Sequence, residues 1–247
     1  MNAMLAARTA STSLFQPAPA ATPGVIELRQ YTLHPGRRDA LIDLFERQFI
    51  ESQEAAGIRL IGQFRDLDDA DRFVWLRGFD DMPQRRHALE TFYTGPAWRA
   101  HRDAANATMI DSDNVLLLRP FSGDRLAADA SIPRDGEDAR IVLCLHHFDA
   151  PVGPEWFDHF EQVQRPWLEN LRAHVIATLV TEYAANTFPA LPVREGEHVF
   201  VCVLRFDSEA DHERCDRQLQ APWRLGDQPR RCELLRLAPT PRSRLGR

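Results

Sequence analysis

The sequence predicts an α+β chain: two tandem ferredoxin-like units of order β-α-β-β-α-β, closing on each other as one intrachain α+β barrel. Three observations predict it. Short apolar-alternating runs are separated by stretches with apolar residues at three-four spacing. The order strand, helix, strand, strand, helix, strand occurs twice. Matching residues also punctuate both halves: Leu44-Phe45-Glu46 slides onto His159-Phe160-Glu161, Gly78-Phe79-Asp80 onto Arg205-Phe206-Asp207, and Pro96-Ala97-Trp98 onto Pro222-Trp223.

The first unit opens with the strand IELRQYTL (26–33). A helix follows with Leu41, Leu44, Phe45 and Phe49 on its buried face. The strands IRLIGQF (58–64) and RFVWLRGF (72–79) form a hairpin across the polar turn 65–71. A second helix from about Pro83 breaks at Thr94-Gly95-Pro96 and resumes through Trp98 and His101. NVLLLRP closes the unit. The second unit opens with RIVLCLHHF and continues with a helix carrying Phe157, Phe160, Trp167, Leu168 and Leu171. Its hairpin is HVIATLVTEY with HVFVCVLRF, joined by the long turn 184–197. A helix from Ser208 and the strand CELLRLAP complete it. The predicted partition is a disordered tail over 1–24, unit one over 25–120, a linker over 121–139, unit two over 140–240 and a frayed tail over 241–247.

Composition narrows the chemistry. The chain has 247 residues and a net charge of −6, which argues against nucleic acid as a general partner. All 30 basic residues are Arg, so Schiff-base chemistry and a phosphate-loop Lys are excluded. No apolar run is long enough for a membrane-spanning helix. There is no G-x-S-x-G elbow, no HExxH and no Cys/His finger spacing, so no metal site is expected. Cys144, Cys202, Cys215 and Cys232 form no C-x-x-C and are read as reduced thiols, which points to a reducing compartment, the cytoplasm.

Strand alternation sorts side chains into two faces. Ile26, Leu28, Val74, Leu76 and Gly78 are expected under the helices. Glu27, Arg29, Tyr31, Phe73, Trp75, Arg77 and Phe79 are expected in the barrel lumen. Such a lumen suits an anionic or carbonyl-bearing aromatic ligand, with Arg29 and Arg77 as oxygen-binding groups. The competing reading is a Glu27–Arg29 ion pair plugging a filled barrel. In the aligned second unit the inward set is Val142, Cys144, His146, Cys202 and Leu204, so any ligand site belongs mostly to the first half. His146 aligns with Tyr31 and reads either as a general base or haem ligand, or as a hydrogen-bonded histidine at a strand end. Trp98 recurs as Trp223, which favours packing.

The segments IELRQYTLHPGRRDALIDLFE (26–46), AAGIRLIGQF (55–64), VWLRGFDDMPQRRHAL (74–89) and TFYTGPAWRAH (91–101) resemble the NIPSNAP family of the dimeric α+β barrel superfamily. The resemblance is good over 25–120 and weak over 140–240, as for a tandem-repeat, bacterial-type member. Where the family usually carries a His and an aromatic on the third strand, this chain has Trp75 and Arg77. The resemblance implies the barrel and its cavity. It also implies relatives that are cofactor-free monooxygenases, lactone isomerases and haem-binding enzymes.

The function expected from the sequence is a small-molecule enzyme of cofactor-free oxygenase, isomerase or lyase type, working in the lumen. Tyr31, His146 and Glu27 are its candidate catalytic residues. Arg29, Arg77, Trp75, Phe79, Trp98 and His101 are the candidate substrate-binding residues. The alternative is a non-enzymatic small-molecule-binding, haem-binding or protein-interaction protein. No cofactor is expected, haem being the one group left open. The expected partners are a small molecule and a second copy of the chain.

Overall fold

The computed structural model describes residues 22–121, 139–219, 223 and 229–246. Most of the expected N-terminal tail and the expected linker therefore lie outside the described residues. The first half contains β1 (Val25–Leu33), α1 (Arg38–Leu44), α2 (Ile50–Ala55), β2 (Arg59–Asp66), β3 (Arg72–Phe79), α3 (Met82–Tyr93), α4 (Pro96–Asn106) and β4 (Met109–Pro120). The second half contains β5 (Arg140–His147), α5 (Pro154–His159), α6 (Arg165–Asn170), β6 (His174–Thr181), β7 (Val199–Phe206), α7 (Glu209–Leu219) and β8 (Arg231–Pro239). A π-helical turn joins the first two helices of each half, at Phe45–Phe49 and at Phe160–Gln164. Asp81 caps α3 by accepting from the Gln84 backbone N–H at 2.7 Å, and a proline follows in the first turn.

The eight strands form one closed barrel in the order β1-β3-β2-β8-β5-β7-β6-β4. All pairings are antiparallel. Each half contributes a four-stranded sheet, and the seams are β2–β8 and β4–β6. Both hairpins carry a bulge at a corresponding place, between Leu60 and Gly62 and between Val175 and Ala177. Bulging sharpens strand twist, which helps two small sheets close without edges.

The expected assignment of strand faces is inverted. Ile26, Leu28, Val74 and Leu76 point into the barrel rather than toward the helices. There they meet Leu116, Leu118, Leu143, Leu179, Val201 and Leu235, among others, in one apolar core drawn from all eight strands. An eight-stranded barrel is just wide enough for side chains to fill, and this one is filled. Glu27, Arg29, Tyr31, Phe73, Trp75, Arg77 and Phe79 instead lie between the first sheet and its helices. The open ligand-binding lumen expected from the sequence is therefore a packed core.

The expected frayed tail at 241–247 is also corrected over its described part. Thr240 donates its N–H to the Gln63 carbonyl, and the Gln63 N–H donates to Ser243 Oγ. Leu245 is buried in the barrel core. Gly62 is required beside it, because a Cβ there would stand 2.3 Å from the Phe64 ring. The chain end thus stoppers one mouth of the barrel.

Candidate active site beneath the first-half helices

The first-half layer between sheet and helices holds a buried carboxylate ringed by three guanidiniums. Glu27 (β1) accepts from Arg29 Nη1 at 2.8 Å and from Arg77 Nε (β3) at 2.7 Å on one oxygen. Its other oxygen accepts from Arg85 Nε (α3) at 2.6 Å. All four side chains are at most 1% exposed. Alternation along β1 puts Glu27 and Arg29 on one face, and the β1–β3 register sets Arg77 directly opposite Glu27.

The charges do not balance. One carboxylate faces three guanidiniums, and several kcal/mol attach to each buried ion left without compensation. Burial alone would raise the Glu27 pKa, but Arg77, Arg29 and Arg85 together hold it well below the usual carboxylate range. Burial lowers the pKa of Arg85, and Glu27 offsets this only in part. Arg77 Nη1 donates to Gln53 Oε1 at 3.2 Å, and Arg85 Nη1 donates to Asn186 Oδ1 and Thr187 Oγ1. The buried Nη2 groups of Arg77 and Arg85 have no acceptor among the described residues. Trp75 Nε1 and both amide atoms of Gln63, its β2 partner, are orphaned as well.

Aromatic rings surround this charge. The guanidiniums of Arg29 and Arg77 lie 5.6 and 5.0 Å from the Trp75 ring, and Phe79 packs on Arg77. Tyr31 accepts from Arg29 Nε at 3.0 Å. Burial pushes the Tyr31 phenol upward despite Arg29, so it is protonated at neutral pH. Next to it lies a cavity of about 30 Å³ lined by Tyr31, Phe45, Gln53, Trp75, Tyr93 and Trp98 among others. That volume holds one or two waters.

A loop of the second half covers this layer. Phe188 stacks on Tyr93 at 5.8 Å, and Leu191 and Val193 pack against the same cluster. Arg194 donates its backbone N–H to the Val115 carbonyl and its guanidinium to Asn114.

The structure thus brings together Glu27, Arg29, Tyr31, Trp75, Arg77 and Phe79 from the sequence-predicted set, with Trp98 at the cavity wall. His101 packs edge-on to Phe49 at 6.4 Å and does not line the cavity. His146 is separated from the set. It lies on β5, four strands around an eight-strand barrel from β1, and points outward beneath the second-half helices. It shares no site with Tyr31, because matching repeat positions sit on opposite sides of the closed barrel. Sequence reasoning missed Arg85, Gln53, Asn186 and Thr187. Two of these had a signal: Arg85 keeps three-four spacing with Ala88, Leu89 and Phe92, and Gln53 continues the buried stripe of Phe45 and Phe49. Asn186 and Thr187 arrive from a distant loop and had none.

Residues 26–123 match the family model described as NIPSNAP. A NIPSNAP-like domain protein from Burkholderia xenovorans is 26% identical, covering 42% of this chain and 90% of its own, with a TM-score of 0.38. A protein provisionally named a monooxygenase, from Lactobacillus acidophilus NCFM, is 12% identical, covering 89% of this chain and 94% of its own, with a TM-score of 0.50. Another provisionally named so, from Fusobacterium nucleatum, is 7% identical over 88% and 93%, also at 0.50. These last two share the fold across both halves. No curated protein matches the chain. Among the described residues, no helix is long and apolar enough to cross a membrane.

Proposed function

We propose, for a chain that belongs to the NIPSNAP family through residues 26–123, a small-molecule enzyme whose site is the arginine-rich layer beneath the first-half helices. The observation that carries this reading is the pair of buried, orphaned Nη2 donors on Arg77 and Arg85, beside an aromatic cavity. Two uncompensated cationic groups in a low-dielectric layer favour an anion, and the rings suit a partly apolar body.

A carbonyl-bearing acid fits both features. Its carboxylate takes the Nη2 donors of Arg77 and Arg85, and the protonated Tyr31 phenol donates to its carbonyl oxygen. When the adjacent C–H proton passes to water, the electron pair settles on that oxygen as an enolate, which Tyr31 and Arg29 stabilise. Cofactor-free isomerase, lyase or oxygenase chemistry starts from such an anion, in keeping with the monooxygenase-like fold. Glu27 is the counter-ion that holds the guanidiniums in place rather than a proton carrier, since three Arg keep it ionised. Access requires the Phe188–Tyr93 contact to open, because about 30 Å³ holds no organic acid.

The filled barrel favours a second reading, a binding protein without turnover. Phenylpyruvate separates the two. The enzyme reading expects saturable binding by calorimetry and accelerated exchange of its C3 protons in D₂O by NMR. Tyr31→Phe should abolish exchange and keep binding, whereas Arg77→Met and Arg85→Met should each weaken binding at least tenfold. Binding without exchange supports the second reading. No binding by the wild type, or unchanged binding by both Arg variants, overturns the site.

A further inference from the structure

The loop that joins β6 to β7 delivers two side chains from the second half to the charge cluster of the first. Among the described residues, Glu27 is the one carboxylate within ion-pair distance of Arg29, Arg77 and Arg85. The acceptors that reach Arg85 from the loop are neutral: its Nη1 donates to Asn186 Oδ1 at 3.0 Å and to Thr187 Oγ1 at 3.2 Å. The Asn186 amide is fixed by its other bonds. Oδ1 also accepts from the Phe188 N–H at 3.0 Å, and Nδ2 donates to the Leu191 carbonyl at 2.9 Å. Its oxygen therefore faces Arg85 and its nitrogen faces the loop. Thr187 donates its hydroxyl onward to the Met82 carbonyl at 3.2 Å. A neutral acceptor orients a guanidinium as a carboxylate does, yet leaves its charge in place. In a layer of low dielectric that charge is felt more strongly than in water, whichever way each N–H points.

We propose that Asn186 sets the charge preference of the first-half site: it positions Arg85 without neutralising it, and so keeps that charge for the carboxylate of the ligand. The proposal rests on the reading of that site as one for a carbonyl-bearing acid. It adds a specificity-determining residue that comes from the other half of the chain.

Two substitutions separate charge from shape. Asn186→Ala removes all three amide bonds but leaves Arg85 charged. Asn186→Asp keeps an acceptor for Arg85 and for the Phe188 N–H, and supplies from within the chain the carboxylate that the site otherwise takes from its ligand. A residue that only shaped the loop would rank acid binding as wild type, then Asp, then Ala, because Asp retains more of the bonds. A residue that sets the charge ranks it as wild type, then Ala, then Asp.

The test is calorimetric titration of the full chain with phenylpyruvate and with phenylacetone, which carries a methyl where the acid has its carboxylate. The wild type should bind the acid at least tenfold more tightly than the ketone. Asn186→Ala should weaken both together and keep that preference. Asn186→Asp should weaken acid binding at least tenfold further than Asn186→Ala and erase the preference. If Asn186→Asp loses its melting transition, Thr187→Asp against Thr187→Val decides, since it brings the same charge to the same Arg85 nitrogen from a half-buried position. Acid binding by the Asp variant that equals or exceeds that of its neutral counterpart overturns the proposal and leaves the site standing. Equal affinity of the wild type for acid and ketone overturns it too. No binding of the acid by the wild type removes the reading of the site itself, and the proposal with it.

Discussion

Beneath the helices of the first half, strand positions 27, 29, 31 and 77 hold Glu, Arg, Tyr and Arg. Beneath those of the second half, the aligned positions 142, 144, 146 and 204 hold Val, Cys, His and Leu. The backbone order, the π-turn and the hairpin bulge correspond in the two halves; the chemistry does not. The inner barrel face shows no such contrast, since both halves supply aliphatic residues to one common core. A shared core constrains both halves at once, because a volume change on one strand is felt by the strands opposite. Each helix-covered layer is private to its half and free to carry different groups.

The largest test of this contrast is Glu27→Gln, which leaves three guanidiniums without their carboxylate. Breaking a buried ion pair in this way costs on the order of 3–5 kcal/mol, readable as a lower urea midpoint. Val142→Ala in the second half should cost roughly 1–3 kcal/mol, by lost apolar burial and a cavity only. Equal losses would mean that the charge cluster is no more demanding than a valine.

Acid titration should separate the halves next. His146 titrates at about 4 in the fold against 6.5 ordinarily, so the unfolded chain binds the extra proton between these values. Stability is therefore full above pH 6.5 and falls as pH drops toward 4, by about 3 kcal/mol for one proton. His212, buried and also lowered, adds a share of the same sign. The Glu27 contribution has the depressed-carboxylate sign: present above its ordinary value of 4.5 and lost only as pH falls below it. His146→Phe should flatten the melting temperature between pH 6.5 and 4 while leaving the steeper loss below. A profile unchanged by His146→Phe would remove the imidazole from the account.

Smaller again is the bridge between the halves. Phe188→Ala removes the stack on Tyr93, at about 0.5–1.5 kcal/mol beyond its burial, and should speed hydrogen exchange in α3 and α4 more than in α5 and α6. Uniform acceleration across all four helices would show that the loop braces the whole molecule rather than covering one layer.

How much of this was legible follows from what alternation does and does not encode. The element order and the composition of each face could be read directly, and Glu27, Arg29 and Arg77 group together as their parity requires. Which face was inner could not be read, because both faces are buried: Leu28 and Arg29 are equally hidden, one in the barrel and one under helices. Polarity pointed the wrong way, since a polar set looks like a cavity lining even when it serves as a bed for helices. The tail misled for a related reason. PTPRSRLGR is polar in composition, yet one leucine in it is a core residue. Asn186 and Thr187 depend on a long loop crossing between halves, a contact with no local pattern.

The buried Leu245 fixes a schedule for synthesis. The strand that seals the β2 edge and the leucine that stoppers the barrel leave the ribosome more than a hundred residues after the first sheet is complete. At roughly 5–20 residues per second, the completed first sheet waits on the order of ten seconds with Ile26, Leu28, Val74 and Leu76 uncovered. During that interval the nascent chain presents an apolar sheet face and an open edge, the combination that invites mispairing between chains on one messenger.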